Sequence, residues 1–246
     1  MKRIGALILI CFILVCSVFG CDKSEADKAA LDYVELCNYK SLDVPRDEYV
    51  VSDTDLSTAI QMHLSSLDIE ASEISDSIAV EYFGCENAVA VKEMIKKEII
   101  ENRFYEAARD LILESSNIIE FPESSDEYIN NMISMQSSFA KADGVSLSDY
   151  LNSSYEMTEE EFREAALWGY GDIMILEAIA EKENYQITSE ERANIIETTA
   201  EYIGLTSEEA LEVYGEEYFE CLLYDEFLKK LIISTYSDII LTELRN

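Results

Sequence analysis

Two prolines in 246 residues, Pro45 and Pro122, constrain this chain more than any other feature. Glycine is scarce as well, at eight. Sandwiches and barrels of short strands need turn punctuation about every 8–12 residues, and here long stretches run without any. The spacing of apolar residues agrees with helix. Val91, Ile95 and Ile99 step by four and lead into Phe104, Ala108 and Leu111. Tyr128, Met132, Met135 and Phe139 form a second stripe, widened by Ile129 and Ile133. The chain is therefore predicted to be mostly α.

Helix starts support this. Ser or Thr followed three residues later by Asp or Glu occurs at Ser52/Asp55, Ser124/Glu127, Thr158/Glu161, Thr188/Glu191 and Thr206/Glu209. In such a pair the hydroxyl accepts from an orphan N–H, and the carboxylate reaches back or favours the positive helix end. The predicted helices cover residues 52–67, 86–114, the stretch from about 124 to Asp143-Gly144, 162–181, 190–203, 207–213 and 217–244. Residues 31–49 read as extended or irregular, with an extended segment near 33–44. Residues 68–77 read as a polar connector with a short turn around Ser75. In the 162–181 helix, Trp168, Ile173, Met174, Ile175, Leu176 and Ile179 leave little polar face, so it is either buried or lines a groove.

Charge excludes several functions. Asp and Glu number 51 against 18 Lys and Arg, a net charge of −33. Such a chain repels phosphate backbones and anionic headgroups, so no nucleic-acid partner is expected. High charge can also signal disorder, but 48% of residues are apolar and recur at helical spacing, which predicts a folded chain.

The N-terminus reads as an export signal. Lys2 and Arg3 precede an unbroken run of apolar or small residues over 4–18, and polarity rises sharply at Asp22-Lys23-Ser24-Glu25. Val18-Phe19-Gly20-Cys21 resembles the lipobox of bacterial lipoproteins, in which the cysteine thiol takes a diacylglycerol and becomes the new N-terminus. This gives a signal over 1–20, lipidation at Cys21 and a short tether over 21–32. The alternative is an uncleaved anchor, since 4–20 lies at the lower limit for crossing a bilayer. Both place the remainder outside the cytoplasm at the cell membrane. Losing Lys2 and Arg3 with the signal leaves 16 basic and 51 acidic residues, a net −35.

No catalytic chemistry is apparent. Cys37, Cys85 and Cys221 are an odd, widely spaced trio that fits neither a disulfide framework nor a zinc pattern. Each is expected to be a small buried apolar residue, with one extracellular bridge left open. The lone histidine, His63, is expected at the surface or half-buried. There is no Gly-rich phosphate loop and no nucleophile elbow, and Asp53-x-Asp55 lacks the glycine of a calcium loop. Neither metal, cofactor nor enzymatic activity is expected.

Several ordered segments carry a resemblance. The run Val34-Glu35-Leu36-Cys37-Asn38-Tyr39-Lys40-Ser41-Leu42-Asp43-Val44 resembles the linker strand of trigger factor, the ribosome-associated bacterial chaperone. Ile74-Ser75-Asp76, Phe83-Gly84-Cys85-Glu86 and the stretch from Val91-Lys92 to Glu101 resemble the entry to that family's C-terminal helical domain. Phe121-Pro122-Glu123, Asp143-Gly144-Val145-Ser146-Leu147-Ser148-Asp149-Tyr150-Leu151 and Met157-Thr158-Glu159-Glu160-Glu161-Phe162-Arg163 follow in order. So do Leu176-Glu177-Ala178-Ile179-Ala180-Glu181-Lys182-Glu183 and Ile187-Thr188-Ser189-Glu190-Glu191. The resemblance spans residues 33–242 and implies an elongated multi-helix cradle that holds unfolded chains. The family's ribosome-docking domain is replaced by the export signal, and only residues 68–73 stand where its prolyl-isomerase domain is inserted. Ribosome binding and isomerase activity are therefore not expected. The same helical module occurs in extracytoplasmic foldases that carry parvulin domains.

Two functions follow as expectations. One is an extracytoplasmic, membrane-anchored holdase for unfolded or nascent exported polypeptides, assisting protein folding and transport. Its client-binding face would include Met132, Met135, Phe139, Trp168, Ile173 and Ile175; taken singly, each residue of the Met132/Met135/Phe139 stripe reads better as core, and the binding expectation concerns the collective face. The other is a non-catalytic lipoprotein accessory subunit that binds one folded partner.

Overall fold

The computed structural model describes residues 29–245, so the expected export signal, Cys21 and most of the expected tether lie outside the described residues. Among those described are ten α-helices, a 3-10 turn over Ala30–Asp32 and a two-stranded ladder. Strand β1 (Val34–Glu35) pairs antiparallel with β2 (Asn117–Ile118), Val34 opposite Ile118. The helices are α1 (Arg46–Tyr49), α2 (Asp53–Ser66), α3 (Asp76–Tyr82), α4 (Ala88–Ser115) and α5 (Ser124–Ala142), followed by α6 (Leu147–Tyr155), α7 (Glu159–Lys182), α8 (Ser189–Ile203), α9 (Ser207–Thr235) and α10 (Ser237–Arg245). The chain is mostly α, as the periodicity predicts.

Four of the five predicted start signals act as caps. Ser52, Thr158, Thr188 and Thr206 each accept the N–H three residues on, and Asp55, Glu161, Glu191 and Glu209 each accept the cap residue's own N–H. Ser124/Glu127 does not. Helix α5 begins at Ser124 itself, whose hydroxyl lies 3.0 Å from the Tyr170 hydroxyl, while Ser125 Oγ donates to the Pro122 carbonyl. Two further caps use the same chemistry, Ser75 for α3 and Ser146 for α6. Helix α6 is absent from the sequence-based prediction because its nine residues are too few for a spacing pattern to stand out.

The segment expected to be extended near 33–44 contains only two strand residues, and Pro45 leads directly into the single turn of α1. Helix α9 contains the break expected between 213 and 217, because Gly215 leaves helical geometry at φ 75°, ψ 166°. The last predicted helix divides at Tyr236, where α10 begins anew.

The chain forms two compact units. Among the described residues, one comprises 29–37 and Ser115–Leu228. In it α5, α6 and α7 pack around Tyr128, Ile129, Met132, Ile133, Leu151 and Phe162, with the 30–32 turn and β1 against α7. Helices α8 and α9 close a second cluster over Ile196, Ala200, Ala210 and Phe219. The other unit comprises Asn38–Glu114 and 229–245 of the described residues. There α2, α3 and the start of α4 enclose Ile60, Leu64, Ile74, Ala79, Val91 and Ile95. Tyr236 packs against Phe104 at 5.2 Å with the rings tilted by 45°, donates to the Tyr39 carbonyl and accepts the Leu42 N–H, which ties residues 39–42 down.

Candidate functional site

The six expected binding residues divide by burial. Met132 and Ile175 are core, with 1% and 2% of their surface exposed, and so are unavailable to a partner in this conformation. Met135 and Ile173 are half-buried against the same cluster. Phe139 and Trp168 are exposed, at 42% and 65%. The stripe Met132–Met135–Phe139 therefore begins in the core and emerges toward the C-terminal end of α5. Ile175 and Trp168 lie seven residues apart, two turns along one face of α7. The fold covers that face at Ile175 and opens it at Trp168.

The two exposed aromatics keep different company. Phe139 lies 6.5 Å from the Tyr150 ring of α6. Trp168 meets the Phe121 ring edge-on at 6.4 Å and 83°. Phe121 lies close over α7 at Gly171, where an added Cβ would stand 3.5 Å from both Phe121 Cε1 and Ile118 Cγ1. Ile119 is exposed beside this segment, and its N–H donates to the Tyr33 carbonyl at 2.8 Å. Sequence reading did not assign Ile119 or Phe121 to the binding face, because they belong to a non-helical stretch where periodicity carries no signal.

Other exposed apolar residues were also missed. Tyr202 in α8 is 91% exposed, and it points away from the Ile196/Ala200 stripe that meets the core. In the second unit Met62, Val80 and Val89 are exposed. Met62 falls between the buried Ile60 and Leu64, on the opposite face of α2. An apolar residue off its helix's buried stripe was the legible signal.

The polar clusters are built for structure. Arg192 of α8 holds Glu220 at 2.6 Å and Glu216 at 3.7 Å, both on α9 just past the Gly215 break. Tyr185 stacks flat on Phe227 at 4.2 Å and donates to Glu191. Burial first, then that hydrogen bond, pushes its phenol up to about 12. Burial likewise pushes Tyr218 up to about 12 and raises Tyr224. In the second unit Arg46 grips the buried Glu243 through two hydrogen bonds of 2.7 and 2.9 Å, lining a depression with Tyr49, Asp238, Ile239 and Thr242. Its one cation is already engaged. Among the described residues no three His, Cys, Asp or Glu side chains are placed to hold a metal, and no helix is long and apolar enough to cross a membrane. Cys37, Cys85 and Cys221 are half-buried rather than buried as expected. His63 is half-buried in the last turn of α2, 3.9 Å from Glu98.

These features define a helical scaffold that closes its core and still leaves large apolar and aromatic side chains in solvent. The family model described as bacterial trigger factor protein (TF) C-terminus matches residues 91–234. The chain belongs to the trigger factor C-terminal family. Residues 33–90 and 235–242 of the expected domain lie outside the matched stretch. Nothing among curated proteins or solved structures matches the chain. Family membership gives it a chaperone-like role and implies binding of unfolded polypeptides.

Proposed function

We propose that this chain is a membrane-anchored holdase that works outside the cytoplasm, binding unfolded or newly exported polypeptides without catalysing prolyl isomerisation. The observation that carries this reading is the set of large apolar side chains left in solvent, Trp168 and Phe139 foremost, on a trigger factor C-terminal scaffold. An unfolded client offers scattered apolar side chains, and exposed aromatic and methionine surfaces can bury them without demanding one sequence. The net charge of −33 keeps a loaded complex soluble. The apolar run over 4–18 that ends in Val18-Phe19-Gly20-Cys21 supports the anchor, and the matched family model is that of the C-terminus alone.

The deciding assay is aggregation of two unrelated unfolded proteins with the purified protein in several-fold excess. Suppression in both cases is expected. No suppression, together with tight binding to a single native protein, would make the chain an accessory subunit instead. For the anchor, mass spectrometry of the membrane form should show a diacylglyceryl modification on Cys21. An unmodified Cys21 within an uncleaved chain would overturn lipidation.

A further inference from the structure

We propose that residues 189–214 form a hinged arm that pivots at Gly215 and is latched by Arg192, with ionic strength setting its position. The movement lies within one compact unit and is independent of what the protein binds.

The arm is α8 with the first half of α9, joined by the short connection 204–206 and packed together through Ile196, Ala200 and Ala210. It rests on Phe219 of the second half of α9, a non-directional apolar contact that tolerates a small shift. The chain enters the arm past Tyr185, whose ring lies flat on Phe227 at 4.2 Å and so fixes the approach to α8. It leaves at Gly215, where φ of 75° and ψ of 166° interrupt the helix. Glycine absorbs backbone rotation there at no steric cost, as a hinge requires. The tip of the arm carries Tyr202, which is 91% exposed.

Arg192 joins the base of the arm to the residues just beyond the pivot. Its Nη2 lies 2.6 Å from Glu220, whereas its Nη1 lies 3.7 Å from Glu216, outside hydrogen-bond reach. That Nη1 is buried and donates to no acceptor. A buried donor left unmade is costly, and an approach of about 1 Å by Glu216 would satisfy it. Glu216 directly follows the pivot and is 75% exposed, so little packing holds it away. At a rise of about 1.5 Å per residue, Arg192 stands roughly 5 Å along α8 and the tip roughly 21 Å, so closure by about 1 Å at the latch moves the tip by about 4 Å.

Charge supplies the opposing force. Residues 189–228 contain twelve Asp and Glu, seven on the arm and five beyond Gly215, and Arg192 is their only Lys or Arg. Repulsion among these mostly exposed carboxylates acts over long distances, and salt screens it strongly. The contact between Arg192 and Glu216 is short and partly buried, and salt screens it much less. Raising the ionic strength therefore closes the latch.

The test is energy transfer in the full chain, held in an uncharged detergent. Trp168, the sole tryptophan, lies on α7 outside the arm and serves as donor. A genetically encoded acceptor amino acid replaces Tyr202 at the tip. Between about 0.01 and 1 M salt the screening length falls from about 30 to about 3 Å, and transfer is expected to change by the equivalent of about 4 Å. Glu216→Gln leaves the Glu220 pair in place. It should hold transfer constant across the same range, with helicity and Tm unaltered. Gly215→Ala, shown to be folded by circular dichroism, should also abolish the response. Constant transfer in the unmodified protein would overturn the movement itself. A salt response of equal size in Glu216→Gln would overturn Arg192 as the latch, and one in folded Gly215→Ala would overturn the pivot.

Discussion

Asp55 shows how one residue serves both a local and a distant structure. Its carboxylate closes the capping box of α2 with Ser52 and accepts two hydrogen bonds, at 2.7 and 3.2 Å, from Arg103 of α4. Arg103 first, and Ser52 second, hold its pKa well below the usual 3.8. A depressed carboxylate stabilises the fold fully above its unfolded pKa and loses that contribution as pH falls through its folded value. Asp55→Asn is therefore expected to lower Tm at pH 7. The gap to the unmodified protein should stay constant down to about pH 5 and then narrow steadily below the unfolded value. Thermal melts across that range check it, and a gap that does not narrow would show that the Arg103 pair contributes nothing. The capping half of this arrangement was legible as Ser52/Asp55. The Arg103 half was not, because 48 residues separate the partners and no local pattern joins them.

Two glycines within helices set the contrast at the scale of elements. Gly171 has helical geometry, and an added Cβ would meet Phe121 and Ile118 at ordinary van der Waals distance. Gly171→Ala is expected to be neutral or to stabilise by up to about 1 kcal/mol, since alanine loses less backbone entropy. Gly215, at φ 75° and ψ 166°, lies in a region essentially reserved for glycine. Gly215→Ala is expected to cost about 1–3 kcal/mol by chemical denaturation. Equal effects at the two sites would show that α9 runs straight through 215 in solution. The break at Gly215 was legible because glycine interrupts an otherwise apolar pattern. The break at Tyr236 was not. No glycine or proline stands there, and Tyr236 is instead fixed by Phe104, Tyr39 and Leu42, all distant in sequence.

Across the whole molecule, the apolar residues serve either stability or binding, and exposure separates them. Met132→Ala empties space in the α5–α6–α7 core and is expected to cost about 2–5 kcal/mol. Phe139→Glu with Trp168→Glu removes surface groups and should alter stability by no more than about 0.5 kcal/mol per site, while aggregation suppression weakens. The two measurements together distinguish the outcomes. An unfolded double variant would make these aromatics core, and a folded one with full suppression would place the clients elsewhere.

The sequence by itself determined the helical class, because scarce breakers and 3.6-residue apolar spacing leave no other way to bury nearly half the side chains. It also determined the starts of α2, α7, α8 and α9, because a cap is a contact between residues three apart. Only the tertiary structure decided which apolar residues face a partner. Met132, Met135 and Phe139 occupy one stripe of one helix and are indistinguishable by period, yet neighbouring helices cover the first and leave the last in solvent. Trp168 and Ile175 divide in the same way along α7. Periodicity fixes the direction in which a side chain points from its own helix. Whether another element lies there is set by the packing of α5, α6 and α7 and by the 118–121 segment over Gly171. Those contacts join residues remote in the chain, which no local spacing encodes.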